Sequence, residues 1–237
     1  MNSQTHIETH LKESSIMRDF VFGFGDGINT SLGIAAGVGG ANVTSDLIIL
    51  AAFVGMFTGA KAMAVQNYLA IKSQRELLKS EIDREIWEID NKPEDEKDEI
   101  RKIYESKGFS GRELDMIVNK ITSDKKVWLN TMLTEELNLN MDVIGHPFKS
   151  AIIMFFSFLA GGMLPIIPFF FNNGIMALMF AIGTSLISSF LVGSIKSKMA
   201  KTNIIKGGLE MAGLGTGIAL IGYGVGNELT NLGIINI

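Results

Sequence analysis

Charge in this chain is gathered into one stretch, and that gathering limits what it can fold into. Of its 21 Lys and Arg and 25 Asp and Glu, 13 and 18 respectively fall between Lys72 and His146. The sequence on either side is too apolar to make a water-soluble surface: the chain is 47% hydrophobic, with a positive mean hydropathy of +0.28. A helix needs about 20 mainly apolar residues to cross a bilayer. Five windows meet that length, at Phe20–Ala41, Leu47–Ile71, Ser150–Phe171, Ile175–Ile195 and Leu209–Ile234. The chain therefore reads as an all-α polytopic membrane protein of five transmembrane helices, with a charged helical domain in water between spans two and three. Residues 1–71 hold an N-terminal lead and spans one and two, 72–146 the charged domain, and 147–237 spans three to five. Met1–Arg18 is too polar to be a signal peptide, and the absence of Cys removes disulfides and thiolate metal sites.

The basic residues orient this arrangement, because loops facing the cytosol carry the excess of Lys and Arg. Gly39–Asp46, Asn172–Gly174 and the tail after Glu228 contain none. The N-terminal lead, the 72–146 block and the loop region with Lys196, Lys198, Lys201 and Lys206 contain nearly all of them. Alternation then places the N-terminus and the charged domain in the cytosol and the C-terminus outside.

Within the spans, polar residues single themselves out by their cost. Asp19 lies at the mouth of the first span and Asp26 just under two turns further in; an acid at that depth costs at least ~2.5 kcal/mol unless it faces water or a partner. Glycines 23, 25, 27, 33 and 37 run along the same helix, the small-residue spacing that lets helices approach closely in lipid. The second span carries Lys61, Met63, Gln66 and Asn67; Met63 and Asn67 stand one turn apart and share a face. Lys61 is placed to snorkel, to pair with Asp26, or to lie beside a hydrophilic path. In the third span, Pro165 and Pro168 should kink the helix and free backbone carbonyls.

The charged domain divides into helices by its own punctuation. Helical pattern runs to about Asp90 and restarts at Pro93, whose fixed φ suits a first helical turn. That helix ends near Gly108. Ser110 and Glu113 have capping-box spacing for the next helix, and Asp124 opens a fourth. Ile82, Ile86, Ile89, Ile100, Ile103, Tyr104, Leu114, Ile117, Val118 and Ile121 are the expected core, with a stripe of Trp128, Leu129, Met132, Leu133 and Leu137. Three pairs project from single helix faces: Glu85 with Glu88, Glu96 with Glu99, and Met132 with Glu136. The sharp turn at Pro93 lets the four carboxylates of the first two pairs converge. Hard oxygen donors suit divalent cations, and a thioether adds preference for softer transition metals. Di-iron oxidases also pair Glu residues on helices, but they use Glu-x-x-His motifs, and this block holds only His146 at its edge.

These residues carry a resemblance. Arg18-Asp-Phe-Val-Phe-Gly-Phe-Gly-Asp-Gly27 with Thr30, Met63-Ala and Tyr68-Leu followed by Ser73-Gln-Arg-Glu76, Pro93-Glu, Ile103-Tyr104, Trp128-Leu, Met132-Leu-Thr-Glu-Glu136-Leu-Asn-Leu and Gly162-Met-Leu-Pro165-Ile-Ile-Pro168 occur in the order found in the vacuolar iron transporter family. The chain resembles that family over nearly its whole length. The resemblance implies a homodimeric, five-span, proton-coupled antiporter in the membrane lipid of a vacuole or of a prokaryotic plasma membrane. It would move ferrous iron out of the cytosol, with manganese, zinc and cobalt as alternative ions, without a prosthetic group or a nucleic-acid partner. It further implies that Asp19, Asp26 and Met63 line the transport path, and that Glu85, Glu88, Glu96, Glu99, Met132 and Glu136 hold cytosolic metal. Two features depart from the family pattern. Asn67 stands where the family carries a membrane Glu, so Lys61 and Asn67 are counted with the path, and Leu133 stands where a second cytosolic Met is usual. Two further readings compete with transport: a membrane-tethered metal-binding or sensing protein with little or no flux, and a metal-dependent oxidase. The missing His ligands make the oxidase the weakest, so the chain is not expected to be an enzyme.

Overall fold

The computed structural model describes residues 2–137 and 145–234, with side chains from residue 16 onward. Residues 138–144 of the expected charged domain lie outside that description. Among the described residues every regular element is helical. The helices are α1 (Asn2–Gly40), α2 (Ser45–Asn91), α3 (Pro93–Ser106), α4 (Gly111–Thr122), α5 (Lys125–Thr131), α6 (Pro147–Ile166), α7 (Gly174–Met199) and α8 (Ile204–Asn231). The chain divides into two compact units, one of Met1–Leu11 with Ala70–Ile144, the other of Lys12–Leu69 with Gly145–Ile237.

The second unit is the apolar one. Helices α2, α6 with its following turn, α7 and α8 are each long and apolar enough to cross a membrane. Side chains such as Leu50, Phe156, Ile187 and Ile221 are 60–69% exposed, far too many large apolar groups for a protein surrounded by water. Helix α1 is 39 residues long and does not stop at the end of the N-terminal lead. No Pro breaks it, and it runs on through Asp19 and Asp26. Leu32, Ala35, Ala36, Ile48, Ala177, Leu178, Ala181 and Ala219 form one buried cluster; Ala52, Met56, Ala60, Phe158 and Ile166 form another. Small residues set the spacing. A Cβ on Gly161 would stand 2.0 Å from the carbonyl oxygen of Phe24, and one on Gly226 would stand 1.8 Å from that of Gly37. Helix α1 therefore packs backbone to backbone against α6 and against α8. Pro165 lies inside α6, which ends at Ile166 and tightens into a 3₁₀ turn over Ile167–Phe170, with Pro165 and Pro168 both buried.

The first unit is a small helical module. Lys92 alone separates α2 from α3, because Pro93 cannot donate to a continuing helix but starts a new one well. Asp124 caps α5, its side chain accepting from the backbone N–H groups of Lys126 (2.8 Å) and Val127 (3.3 Å). Ser110 precedes α4 but its hydroxyl makes no capping bond; Gly111 takes a left-handed φ of 55°, and the expected capping box does not close. Ile89, Ile100, Leu114, Val118, Ile121, Trp128 and Met132 are the core, with Tyr104, Ile117 and Leu129 packed on it. Ile86 was expected there and is instead 41% exposed. The inward face of α2 runs through Leu78, Ile82, Glu85 and Ile89, the alternating four- and three-residue spacing of one helix stripe, so Glu85 takes the buried position and Ile86 turns out.

Candidate metal centre

Three carboxylates meet in the helical module, Glu85 and Glu96 buried and Glu136 exposed at its edge. Glu85 arrives on the core face of α2, and Glu96 from the first turn of α3, whose positive end favours an acid. Glu136 comes from the end of the segment that follows α5. That segment, Met132–Glu136, is a π-helical turn, closed by the Leu137 N–H donating to the Met132 carbonyl oxygen over 3.2 Å. Such turns often mark functional positions. Here the wider turn separates neighbouring acids: Glu135 pairs with Lys107, while Glu136 reaches the other two carboxylates.

One oxygen from each of Glu85, Glu96 and Glu136 lies within 4.8 Å of the others. Glu85 and Glu96 are only 1% and 4% exposed. Glu85 Oε1 and Glu96 Oε2 are buried without a hydrogen-bond partner. Buried polar atoms are nearly always paired, and like charges this close cannot all remain ionised. Burial, then the charges of Glu85 and Glu99, pushes the Glu96 carboxyl up to about 7. Burial, then Glu99 and Glu96, does the same for Glu136, also to about 7. Glu85 is raised by burial and then by Glu136, against a hydrogen bond from Glu96. Near neutral pH the cluster holds protons that a divalent cation can replace, because such a cation supplies the missing positive charge and coordinates the bare oxygens.

The other cytosolic candidates stand around these three. Glu88, beside Arg84 at 3.8 Å, and Glu99 are half-buried and act on the cluster by charge. Met132 is fully buried in the module core, one turn before Glu136. The four acids expected to converge thus contribute one member from each pair.

In the apolar unit the path candidates are split. Asp19 is 2% exposed; one oxygen accepts from Arg18 at 3.2 Å and the other is buried and bare. Asp26 lines a cavity of about 670 Å³ between α1, α7 and α8, with Arg18, Asn29 and Lys196 as its other polar residues and Phe22, Met199, Met211 and Leu214 among its apolar ones. Lys61, Met63 and Asn67 are not on that cavity. Lys61 is exposed, and among the described residues no ion pair joins it to Asp26. Met63 packs on the cluster around Met56 and Phe158, and Asn67 is half-buried with an unpartnered amide nitrogen. Sequence reasoning missed Asn29 and Lys196. Asn29 follows Asp26 by three residues on the same helix and could have been found by that spacing; Lys196 had been read only as a topology signal.

An all-helical membrane protein whose helical module gathers buried carboxylates is the class these observations define. Within it, the chain belongs to the VIT family, whose profile matches residues 17–227. It is similar to vacuolar iron transporter 1 of Tulipa gesneriana, 29% identical across 97% of this chain and 93% of that one. It is also similar to the vacuolar iron transporter of Toxoplasma gondii, 32% identical across 94% of this chain and 78% of the relative. Vacuolar iron transporter 1 of Arabidopsis thaliana is 28% identical across 89% and 84%.

Proposed function

We propose that the chain is a divalent transition-metal transporter that carries ferrous iron, with manganese as a second cargo, out of the cytosol in exchange for protons. The observation that carries this reading is the meeting of Glu85, Glu96 and Glu136 with two buried carboxylate oxygens left bare. Oxygen atoms in that state suit a divalent ion and are costly without one. Names of relatives that cover most of both chains support iron as the ion. Helix α1 makes the fifth span, the module of residues 72–146 sits in the cytosol, and the C-terminus lies outside, as the basic-residue pattern requires. Glu85, Glu96 and Glu136 bind the ion, with Glu88, Glu99 and Met132 completing the field around it. Asp26, Asp19 and Met63 pass it across the membrane, in a homodimer whose second copy meets the exposed face of α2 at Lys61 and beside Asn67. Asn67 offers an amide where a carboxylate would take a proton, so carboxylates elsewhere exchange the protons.

Flux into sealed proteoliposomes, compared for Fe²⁺, Mn²⁺, Zn²⁺ and Co²⁺ with and without an imposed pH gradient, tests the reading. Uptake of Fe²⁺ that accelerates when the receiving side is acidic is the expected result. Metal binding with no flux under any gradient would select the sensing protein instead.

A further inference from the structure

The cavity between α1, α7 and α8 is open on its side. Phe22 and Leu214 line it and are 58% and 62% exposed. On spans of this apolarity, such side chains face lipid tails, which are as apolar as they are. Of the lining residues only Arg18, Asp26, Asn29 and Lys196 are polar. The two cations stand at the rim. Lys196 is exposed in the last turn of α7, and the Arg18 side chain is 66% exposed. Arg18 gives one bond to Asp19 at 3.2 Å, which leaves most of its five N–H donors for another anion. Lys198, Lys201 and Lys206 are exposed at the same end of α7 and α8. Among the described residues none of these four lysines has an ion-pair partner. The acids at this end are Asp19, held by Arg18, and Glu210, which is exposed on α8 and does not line the cavity. Asp26 lies two helical turns beyond Arg18, about 12 Å along α1, and so is deeper than the rim.

We propose that an anionic glycerophospholipid binds here, with its phosphate on Lys196 and Arg18 and one acyl chain in the crevice past Phe22 and Leu214. Unpaired cations at the mouth of an apolar crevice between spans complement a molecule with a negative head and an apolar tail. A zwitterionic lipid fits the crevice less well, because its headgroup brings a second cation to a rim that already has two. The chain closes the lateral opening, so that Asp26 faces an enclosed space rather than the bilayer, where a carboxylate is costly. The site does not depend on which ion the protein carries.

The test is lipid retention by the full chain. The protein is reconstituted in vesicles of equal parts phosphatidylcholine and phosphatidylglycerol and released into mild detergent, and the lipid it keeps is counted by native mass spectrometry. Wild type should retain phosphatidylglycerol over phosphatidylcholine by about tenfold or more, since two cations act on one headgroup. Lys196→Gln should cut that preference by about fivefold. Lys201→Gln and Lys206→Gln remove the same charge away from the cavity and should change the preference by less than about twofold. Leu214→Trp fills the opening without altering charge and should remove the retained lipid. A wild type with no preference for phosphatidylglycerol overturns the proposal. Equal losses in all three lysine variants also overturn it, because diffuse attraction to a basic end would then explain them. Full retention in Leu214→Trp does the same. A lipid-free dimer that becomes a monomer in Leu214→Trp would assign the crevice to a second copy of the chain, and the proposal would fall.

Discussion

Asp26→Ala lowers Fe²⁺ uptake by proteoliposomes at least about tenfold, a loss of ~1.4 kcal/mol or more of transition-state stabilisation, while Fe²⁺ binding by the helical module is unchanged. Asp26 is the single acid on the cavity walls, and a cation crossing the apolar part of a membrane needs oxygen donors at that depth. Alanine removes the donor without adding bulk. Asp26→Asn keeps the shape and loses the charge, and it should fall nearly as far. Binding measured beside flux reports on the module, and thermal melting of the full chain separates a broken path from a misfolded apolar unit. Asp26→Ala protein that transports at the wild-type rate would remove this residue from the path.

Acidification is the second large effect. Glu96 and Glu136 titrate at about 7 rather than at 4.5, and Glu85 is raised as well. A divalent ion has to displace those protons, so affinity falls as pH drops below 7. If two protons leave per ion, Kd for Fe²⁺ weakens by on the order of a hundredfold or more between pH 7.5 and 5.5. Stability of the metal-free form moves the opposite way. A carboxyl whose folded pKa is above its unfolded value contributes stability that is fully present below about 4.5 and lost as pH rises through about 7. Metal-free protein should therefore melt at a higher temperature at pH 5.5 than at pH 8, and saturating Fe²⁺ should remove the difference. Melting curves and titrations across that range check both signs; a Kd independent of pH would mean that the cluster binds no cation through these three groups.

Much of the architecture could be read directly because lipid and water impose strong patterns. Apolar runs of span length and a segregated block of charge leave few alternatives, and Pro93 with Asp124 marked the module's helix starts. Buried positions on a single helix were harder. Counting isoleucines put Ile86 in the core, whereas the stripe through Leu78, Ile82 and Ile89 admits Glu85 and turns Ile86 outward. The carboxylate pairs were found by spacing, but residues three apart on a helix differ by about 60° in direction. Two helices meeting at a corner consequently bring in Glu85 and Glu96 and leave Glu88 and Glu99 beside them. The π-turn that delivers Glu136 has no signature of its own in Met132–Glu136. Asp26 was marked by its cost in lipid, yet Lys196, which lines the same cavity, lies far away in sequence, and only packing of α1 against α7 and α8 reveals it. Lys61, the partner first considered for Asp26, sits on the exposed side of α2 because that helix turns Ala60 inward instead.

The meeting of three carboxylates is the centre of the account, and equilibrium Fe²⁺ binding to the detergent-solubilised full chain tests it most directly. Wild type should be compared with a variant carrying Glu85→Gln, Glu96→Gln and Glu136→Gln, which keeps side-chain size and removes the charge. The account predicts that the variant loses the tightest-bound ion of the wild type and remains folded; equal stoichiometry and affinity in the two proteins would contradict it.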